Sequence, residues 1–299
     1  MESARKVGIV ILNWNGSAHT FACIESLRRS TYPHWEILVV DNGSRDGSPE
    51  KILERFPDIT LIRNAANLGF AGGNNVGIDA ALISGADYVL ILNNDTVVHP
   101  EMVLELVVAA HQSGDRAVVC PKIYWSGDPT RLWYAGGRVN LWTGRFTNIG
   151  RNQFDHVSED SPAETDFATG CCMLVPRHVL ERVGKFDANY FLYCEDVDWS
   201  LRCSRAGFRL LCVPRAKLWH VEGGASGGMT TARHYFPVRN GIWTVLKHGH
   251  LFQKITCLGF FFPMRVLLGI ARMVVKQQWR AVVAQLRGSR DGVLHRIPR

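Results

Sequence analysis

The chain has 299 residues, 46% apolar and 20% charged, with 28 Gly and 12 Pro; this excludes a disordered, collagen-like or coiled-coil protein and allows a sizeable buried core. Its formal net charge of +7 is unevenly spread, because residues 232–299 carry 12 Lys/Arg against one acid, Asp291, a net of +11, which leaves −4 on residues 1–231. Such a basic tail offers a surface to an anionic partner, either membrane lipid or nucleic acid.

The first six residues lead straight into an apolar run, 7–12, that ends at Asn13 with no cleavage site, so no signal peptide and a cytosolic location are expected. Runs 7–12, 36–40, 60–62 and 87–92 are continuous and β-prone, and stretches 17–29, 48–56 and 73–84 between them suit helices. That alternation predicts βαβ units around a parallel sheet buried on both faces. Each run ends in polar residues, at Asn13, Asp41, Asn64 and 93–95, along the carboxyl edge where open α/β sheets bind ligands.

Pro100 is expected to open a helix reaching about His111, followed by a strand at 117–120. Residues 131–150, with Trp133, Tyr134, Trp142 and Phe146 among glycines, predict a hairpin or meander. Helices are expected at 176–183 and 197–206, closed by Gly184 and Gly207, then a strand at 209–213. The eight cysteines show neither CxxC pairing nor zinc-ligand spacing and predict free thiols.

In the tail, Arg265 and Arg272 interrupt the apolar stretches and Pro263 is expected to break any helix. The longest uncharged run, 255–264, has 10 residues where about 20 are needed to span a bilayer, so no transmembrane helix is expected. Basic residues interleaved with Phe260, Phe261, Phe262, Leu267, Leu268 and Trp279 predict an amphipathic element in the membrane interface; the alternative is a pair of core helices with a solvated basic face.

Several polar groups sit where chemistry is done. Asp41, after the second strand, can accept hydrogen bonds from ribose hydroxyls or a base NH, or else close an Asx-turn through the Asn-Gly and Asp-Gly pairs that follow. Asn67-Leu-Gly-Phe-Ala-Gly-Gly-Asn-Asn75 places three glycines before a helix, permitting close ligand approach and free helix-start NH groups, although it is neither GxGxxG nor a P-loop. Asp95, in Asn93-Asn-Asp-Thr96, can hold a divalent cation that bridges two phosphates, or the segment is a strand-end turn. In Glu195-Asp-Val-Asp198 one carboxylate can be a general base or the acids can simply cap a helix, while Asp198 and Arg202 form an i,i+4 pair. His220, ahead of the glycine-rich stretch 222–228, can complete a metal site with Asp95.

The ordered set Val10-Ile-Leu-Asn-Trp-Asn15, Val39-Val-Asp-Asn-Gly-Ser44, the Asn67 to Asn75 loop, Leu92-Asn-Asn-Asp95, Thr169-Gly170, Tyr193-Cys-Glu-Asp-Val-Asp198, His220 and Tyr235-Phe-Pro-Val-Arg-Asn240 resembles the inverting family-2 glycosyltransferases of the GT-A fold over about residues 6–245. Within them it is most similar to the bacterial rhamnosyltransferase branch that builds cell-envelope polysaccharides. The resemblance implies an α/β GT-A domain over 1–240, Rossmann-like with a mostly parallel central sheet. Its nucleotide-sugar half covers about 1–120 and its acceptor half about 121–240, and a basic amphipathic helical tail, 241–299, follows.

It further implies donor-site roles for Asn13, Asp41, Asn67, Gly69, Gly73 and Asn94, and Mg²⁺ or Mn²⁺ held by Asp95 and His220. Asn93-Asn94-Asp95 stands where the family has Asp-x-Asp. Asp196 matches the catalytic base, with adjacent Glu195 the alternative, and a helical step of about 100° should turn only one of them to the cleft. Thr169, Gly170 and Trp199 fall to the acceptor side. The implied donor is dTDP-L-rhamnose, then UDP-hexoses, and the implied acceptor a saccharide on a polyprenyl diphosphate met at the inner membrane surface. A sugar-nucleotide nucleotidyltransferase needs a glycine-rich loop with Arg and Lys after the first strand, where Asn13-Trp-Asn-Gly16 stands. A nucleic-acid-binding protein has only the basic tail behind it and no recognisable motif.

Overall fold

The computed structural model describes residues 5–155, 161–221 and 231–297. The glycine-rich stretch after His220 lies outside these residues. The first half alternates as the apolar runs dictate: β1 (Val7–Asn13), α1 (Ser17–Leu27), β2 (Trp35–Asp41), α2 (Ser48–Arg55), β3 (Thr60–Arg63), α3 (Gly69–Ile83) and β4 (Tyr88–Asn93). A short β5 (Thr96–Val98) and α4 (Met102–Gln112) lead to β6 (Ala117–Trp125), β7 (Asp128–Tyr134) and the separate hairpin of β8 (Gly137–Asn140) and β9 (Arg145–Asn148). Then come β10 (Ala163–Glu164), β11 (Cys172–Pro176), α5 (Arg177–Val183), α6 (Glu195–Arg205), β12 (Arg209–His220), α7 (Ala232–His248), α8 (Leu251–Thr256), α9 (Phe262–Val275) and α10 (Trp279–Val293).

The main sheet runs β10-β12-β6-β11-β4-β1-β2-β3, with β5 and β7 attached to β12 and β6. β3, β2, β1 and β4 are mutually parallel, whereas β11 lies antiparallel between β4 and β6. The chain leaves β1 toward β2 and returns on its other side to β4, so the strand order reverses at β1, the position at which α/β sheets open a binding crevice. All eight cysteines are free.

Three local expectations are corrected. Helix α3 begins at Gly69 rather than at 73, because Asn67 Oδ1 accepts the Gly69 N–H (2.8 Å) and Gly69 turns the chain with φ +75°. Strands β6 and β12 run past Pro121 and Pro214, since a bulge between Val213 and Lys217 absorbs the lost ladder bond.

In the tail, Pro263 does not stop the helix. Residues Cys257–Phe261 form a π-helical turn and Pro263 falls in the first turn of α9, where its missing N–H costs nothing. Leu251–Val275 is therefore one helical run of 25 residues, with an 18-residue stretch of mean hydropathy 1.7, long and apolar enough by composition to cross a bilayer. Its inner side is held to the β8–β9 hairpin: Arg265 Nη1 donates to Gly144 O (2.8 Å), and Cys257 is buried against Gly144. Residue 240 lies inside α7, whose later half packs with Cys257 and Phe262 in a small second core.

Candidate active site

At the switch point each apolar strand ends in an amide or acid, and these groups bond to one another. Asn13 Nδ2 donates to Asp41 Oδ1 (2.9 Å), Asn13 Oδ1 accepts from Thr20 Oγ1 (2.8 Å), and Asn94 Nδ2 donates to that same Thr20 hydroxyl (3.0 Å). Asp41 Oδ2 also accepts from Ser44 N (3.0 Å), closing the turn after β2. The network ties together the ends of β1, β2, β4 and the start of α1.

Beside it opens a cavity of about 530 Å³ lined from this edge by Trp14, Asn42, Asn67, Gly69, Asn94 and Asp95. Asn13 and Asp41 stay one layer behind the wall, fully buried or nearly so, and Asn42 presents itself instead. Asn42 also braces the α3 loop, donating to Asn67 Oδ1 (2.9 Å) and Gly69 O (3.0 Å). Gly73 does not line the cavity. A Cβ there would stand 2.5 Å from Leu12 Cδ1, so this glycine lets α3 press onto the sheet. The first NH groups of α3 are also not free for an anion, because Phe70 N and Ala71 N both donate to Phe191 O (2.6 and 3.3 Å).

The antiparallel β5–β12 ladder pairs Thr96 with His220 and so brings His220 to Asp95, 125 residues away, with Nε2 and Oδ1 3.1 Å apart. Both are about nine-tenths buried or more, and the imidazole stands edge-on to Trp133, ring centroids 4.8 Å apart. The pair fits a hard divalent ion: 3.1 Å is close to the edge between neighbouring ligands of an octahedron with arms of about 2.1 Å. No cluster of three or more His, Cys, Asp or Glu suited to a metal occurs among the described residues, so water and substrate phosphates would complete the shell.

The third wall comes from the start of α6. Asp196 Oδ2 accepts the Gly170 N–H (2.9 Å) and Oδ1 the Val197 N–H (2.8 Å). Burial pushes its carboxyl above the usual range, against these backbone donors. Glu195 is pushed further, by burial and by the charge of Asp196, and its Oε2 has no partner among the described residues. Both residues line the cavity, contrary to the expectation from the 100° helical step. The step separates neighbours around the axis, but only the first turn of α6 reaches the cavity, and it presents both residues there. Thr169 and Gly170 line the same wall.

Trp199 does not. It is buried in the core, packed on Phe186, with Nε1 donating to Gly184 O (2.7 Å). Asp198 is likewise structural: burial raises its pKa, but hydrogen bonds from His248 and Lys247 and the charge of Arg202 overcome that and bring it to about 2.

What sets the carboxylates in place is a strained approach. Phe191, Tyr193 and Cys194 all have positive φ (63°, 69°, 67°), and Leu192 N closes a three-residue turn on Tyr190 O (2.7 Å). Two fully buried residues of α7 hold it. Asn240 Nδ2 donates to the carbonyls of Tyr190, Leu192 and Tyr193 (2.9, 2.9 and 2.6 Å), and Arg239 Nη2 to those of Asn189 and Tyr190 (2.8 Å each). The resemblance gave no role to Arg239 and Asn240. The available signal was a charged residue and an amide inside an apolar helix, which must be paired if buried.

Residues 9–184, more than half of the chain, match the family described as glycosyl transferase family 2. The chain belongs to that family. It is 28% identical over 239 residues to N-acetylglucosaminyl-diphospho-decaprenol L-rhamnosyltransferase of Mycobacterium tuberculosis, covering 73% of this chain and 77% of that one. With dTDP-rhamnosyl transferase RfbF of Shigella flexneri it shares 23% over 227 residues, 72% of each.

Among solved structures, GalNAc-T7 with UDP, GalNAc and Mn²⁺ superposes with a TM-score of 0.66 at 18% identity over 82% of this chain and 48% of that chain. Mannosyltransferase PcManGT from Pyrobaculum calidifontis with GDP-Man and Mn²⁺ does so at 0.61 and 14% over 99% and 89%. The fold is GT-A. This family-2 member is a glycosyltransferase of the rhamnosyltransferase-like branch, which sets aside the nucleotidyltransferase and nucleic-acid readings.

Proposed function

We propose that the protein is an inverting, divalent-metal-dependent transferase that moves a sugar, rhamnose from dTDP-L-rhamnose in the first place and a hexose from a UDP donor in the second, to a saccharide carried on a polyprenyl diphosphate. The observation that carries this is one cavity lined by both the Asp95–His220 pair and the Glu195–Asp196 pair. Its nucleoside end is the β1–β2 edge, with Trp14 and Asn42 at the wall and Asn13 and Asp41 fixing the loops behind them. The dTDP-rhamnosyl and decaprenol-linked relatives support the choice of donor and acceptor.

Asp196 is the base. Its two backbone donors stabilise the ionised form, whereas Glu195, with an unpartnered oxygen beside that charge, is pushed further toward its protonated form. Asp196 takes the proton of an acceptor hydroxyl as that oxygen bonds to the anomeric carbon; the bond to the diphosphate breaks on the opposite face, the diphosphate leaves with the electron pair, and configuration inverts. A base pushed above the ordinary carboxylate range accepts that proton more readily, as long as it stays ionised at the working pH. A divalent ion held by Asp95 and His220 would stabilise the charge growing on the leaving diphosphate.

The lipid-linked acceptor implies work at a membrane surface. The run Leu251–Val275 supports this with exposed Leu251, Phe252, Ile255, Phe260, Leu267 and Leu268, while its other side packs on the hairpin, as an element lying in the interface would.

The test is thermal stabilisation by dTDP, UDP and GDP with and without Mn²⁺, followed by transfer assays with dTDP-rhamnose. A metal-dependent shift with dTDP and product of inverted configuration are expected. Metal-independent binding, or retained configuration, would overturn the reading.

A further inference from the structure

We propose that the groove between α7 and α10 binds the diphosphate and the first isoprene units of the lipid-linked acceptor, an inference that rests on the acceptor class given above. The groove holds about 870 Å³ and is separate from the catalytic cavity.

It exists because α10 packs on α7 through glycines. A Cβ at Gly288 would lie 2.5 Å from Tyr235 O, and one at Gly292 2.6 Å from Ile242 Cδ1, so the helices meet backbone to backbone and larger side chains are left on the flank. Arg280, Arg287 and Arg290 line that flank, all exposed. Arg290 pairs with Asp291, whose other oxygen accepts from the Tyr235 hydroxyl (2.9 Å). Arg280 and Arg287 have no ion pair among the described residues. The groove thus keeps uncompensated positive charge in a form suited to phosphate, since guanidinium groups meet phosphate oxygens through two parallel hydrogen bonds.

The rest of the lining is apolar. Trp279 and Val283 remain 61% and 47% exposed, and Leu286 and Val293 continue the apolar surface along α10. An anionic head beside an apolar strip matches an isoprenyl diphosphate better than a free sugar nucleotide, whose nucleoside is polar.

The groove also shares a wall with the catalytic cavity. Phe236, in the groove, stacks on Phe191, in the cavity, with ring centroids 5.2 Å apart, and the neighbouring Arg233 and Pro237 of α7 line the cavity itself. A sugar attached directly to a diphosphate held here would have to pass that aromatic pair to bring a hydroxyl to Asp196.

Calorimetric titration of the full chain with farnesyl diphosphate, in EDTA and with inorganic diphosphate and farnesol as comparisons, tests this. Farnesyl diphosphate should bind more tightly than either comparison. R280Q/R287Q should weaken it about tenfold or more, whereas R272Q/K276Q, which removes the same charge from exposed positions outside the groove, should change it less than about twofold. Equal loss in both variants, or equal binding of inorganic diphosphate, would overturn the proposal in favour of general charge attraction. Thermal midpoints of the variants verify folding. Their Mn²⁺-dependent shift with dTDP reads the donor site separately: its loss in the unaltered chain would sink the transfer reading, while failure of farnesyl diphosphate alone would sink only the groove.

Discussion

Two walls of the cavity are built in opposite ways. At the β1–β2–β4 edge the polar residues sit at the ends of their own apolar strands, and strand pairing alone brings Asn13 level with Asp41. At the α6 wall the carboxylates are aimed by a strained turn whose carbonyls are gathered by Asn240, some 50 residues away, and α7 is in turn pressed by Gly288 and Gly292 of α10. One wall is a property of local pattern and the other of long-range packing. The reacting groups are therefore the part of this site most exposed to distant changes.

Substitutions ranked by expected effect can break that contrast. Asp196→Asn should lower kcat by about 10² to 10⁴-fold while leaving the dTDP-induced thermal shift intact; near-normal turnover would remove Asp196 from the role of base. His220→Ala should abolish the Mn²⁺-dependent part of the nucleotide shift, and a shift that stays fully metal-dependent would place the ion elsewhere.

Asn240→Ala takes this donor from the Leu192 and Tyr193 carbonyls at about 1 to 3 kcal/mol each, softened by relaxation, while Tyr190 O keeps Arg239 and Leu192 N. We expect a lower thermal midpoint and a kcat loss of about tenfold or more, with donor affinity little changed. Equal losses in donor binding and turnover would show that the two walls are not independent. Because burial raises the Asp196 pKa, activity should fall on the acid side at a pH above the ordinary carboxylate range, and Glu195→Gln, which copies the protonated form of the neighbouring carboxyl, should leave that limb nearly in place. The smallest effect belongs to Trp199→Phe, which loses one hydrogen bond to Gly184 O, worth about 1 kcal/mol. Acceptor KM should not change; a clear rise would return Trp199 to the acceptor site.

The same division explains what could be read in advance. Strand runs and their polar ends follow from periodicity, and so the sheet and its switch point were legible. Gly73 and Trp199 were misplaced because a motif position says nothing about which side of a helix faces a ligand. The Pro263 break failed for a related reason: a proline ends a helix only where its N–H is needed, and a π-turn ahead of it removed that need.

The sequence by itself determined the family, the α/β order and the identity of the chemical groups, since these depend on residue type and neighbour spacing. Tertiary structure alone decided that both Glu195 and Asp196 line the cavity and that Arg239 and Asn240 hold the turn ahead of them. Those facts depend on contacts between residues far apart in the chain, which no local pattern encodes.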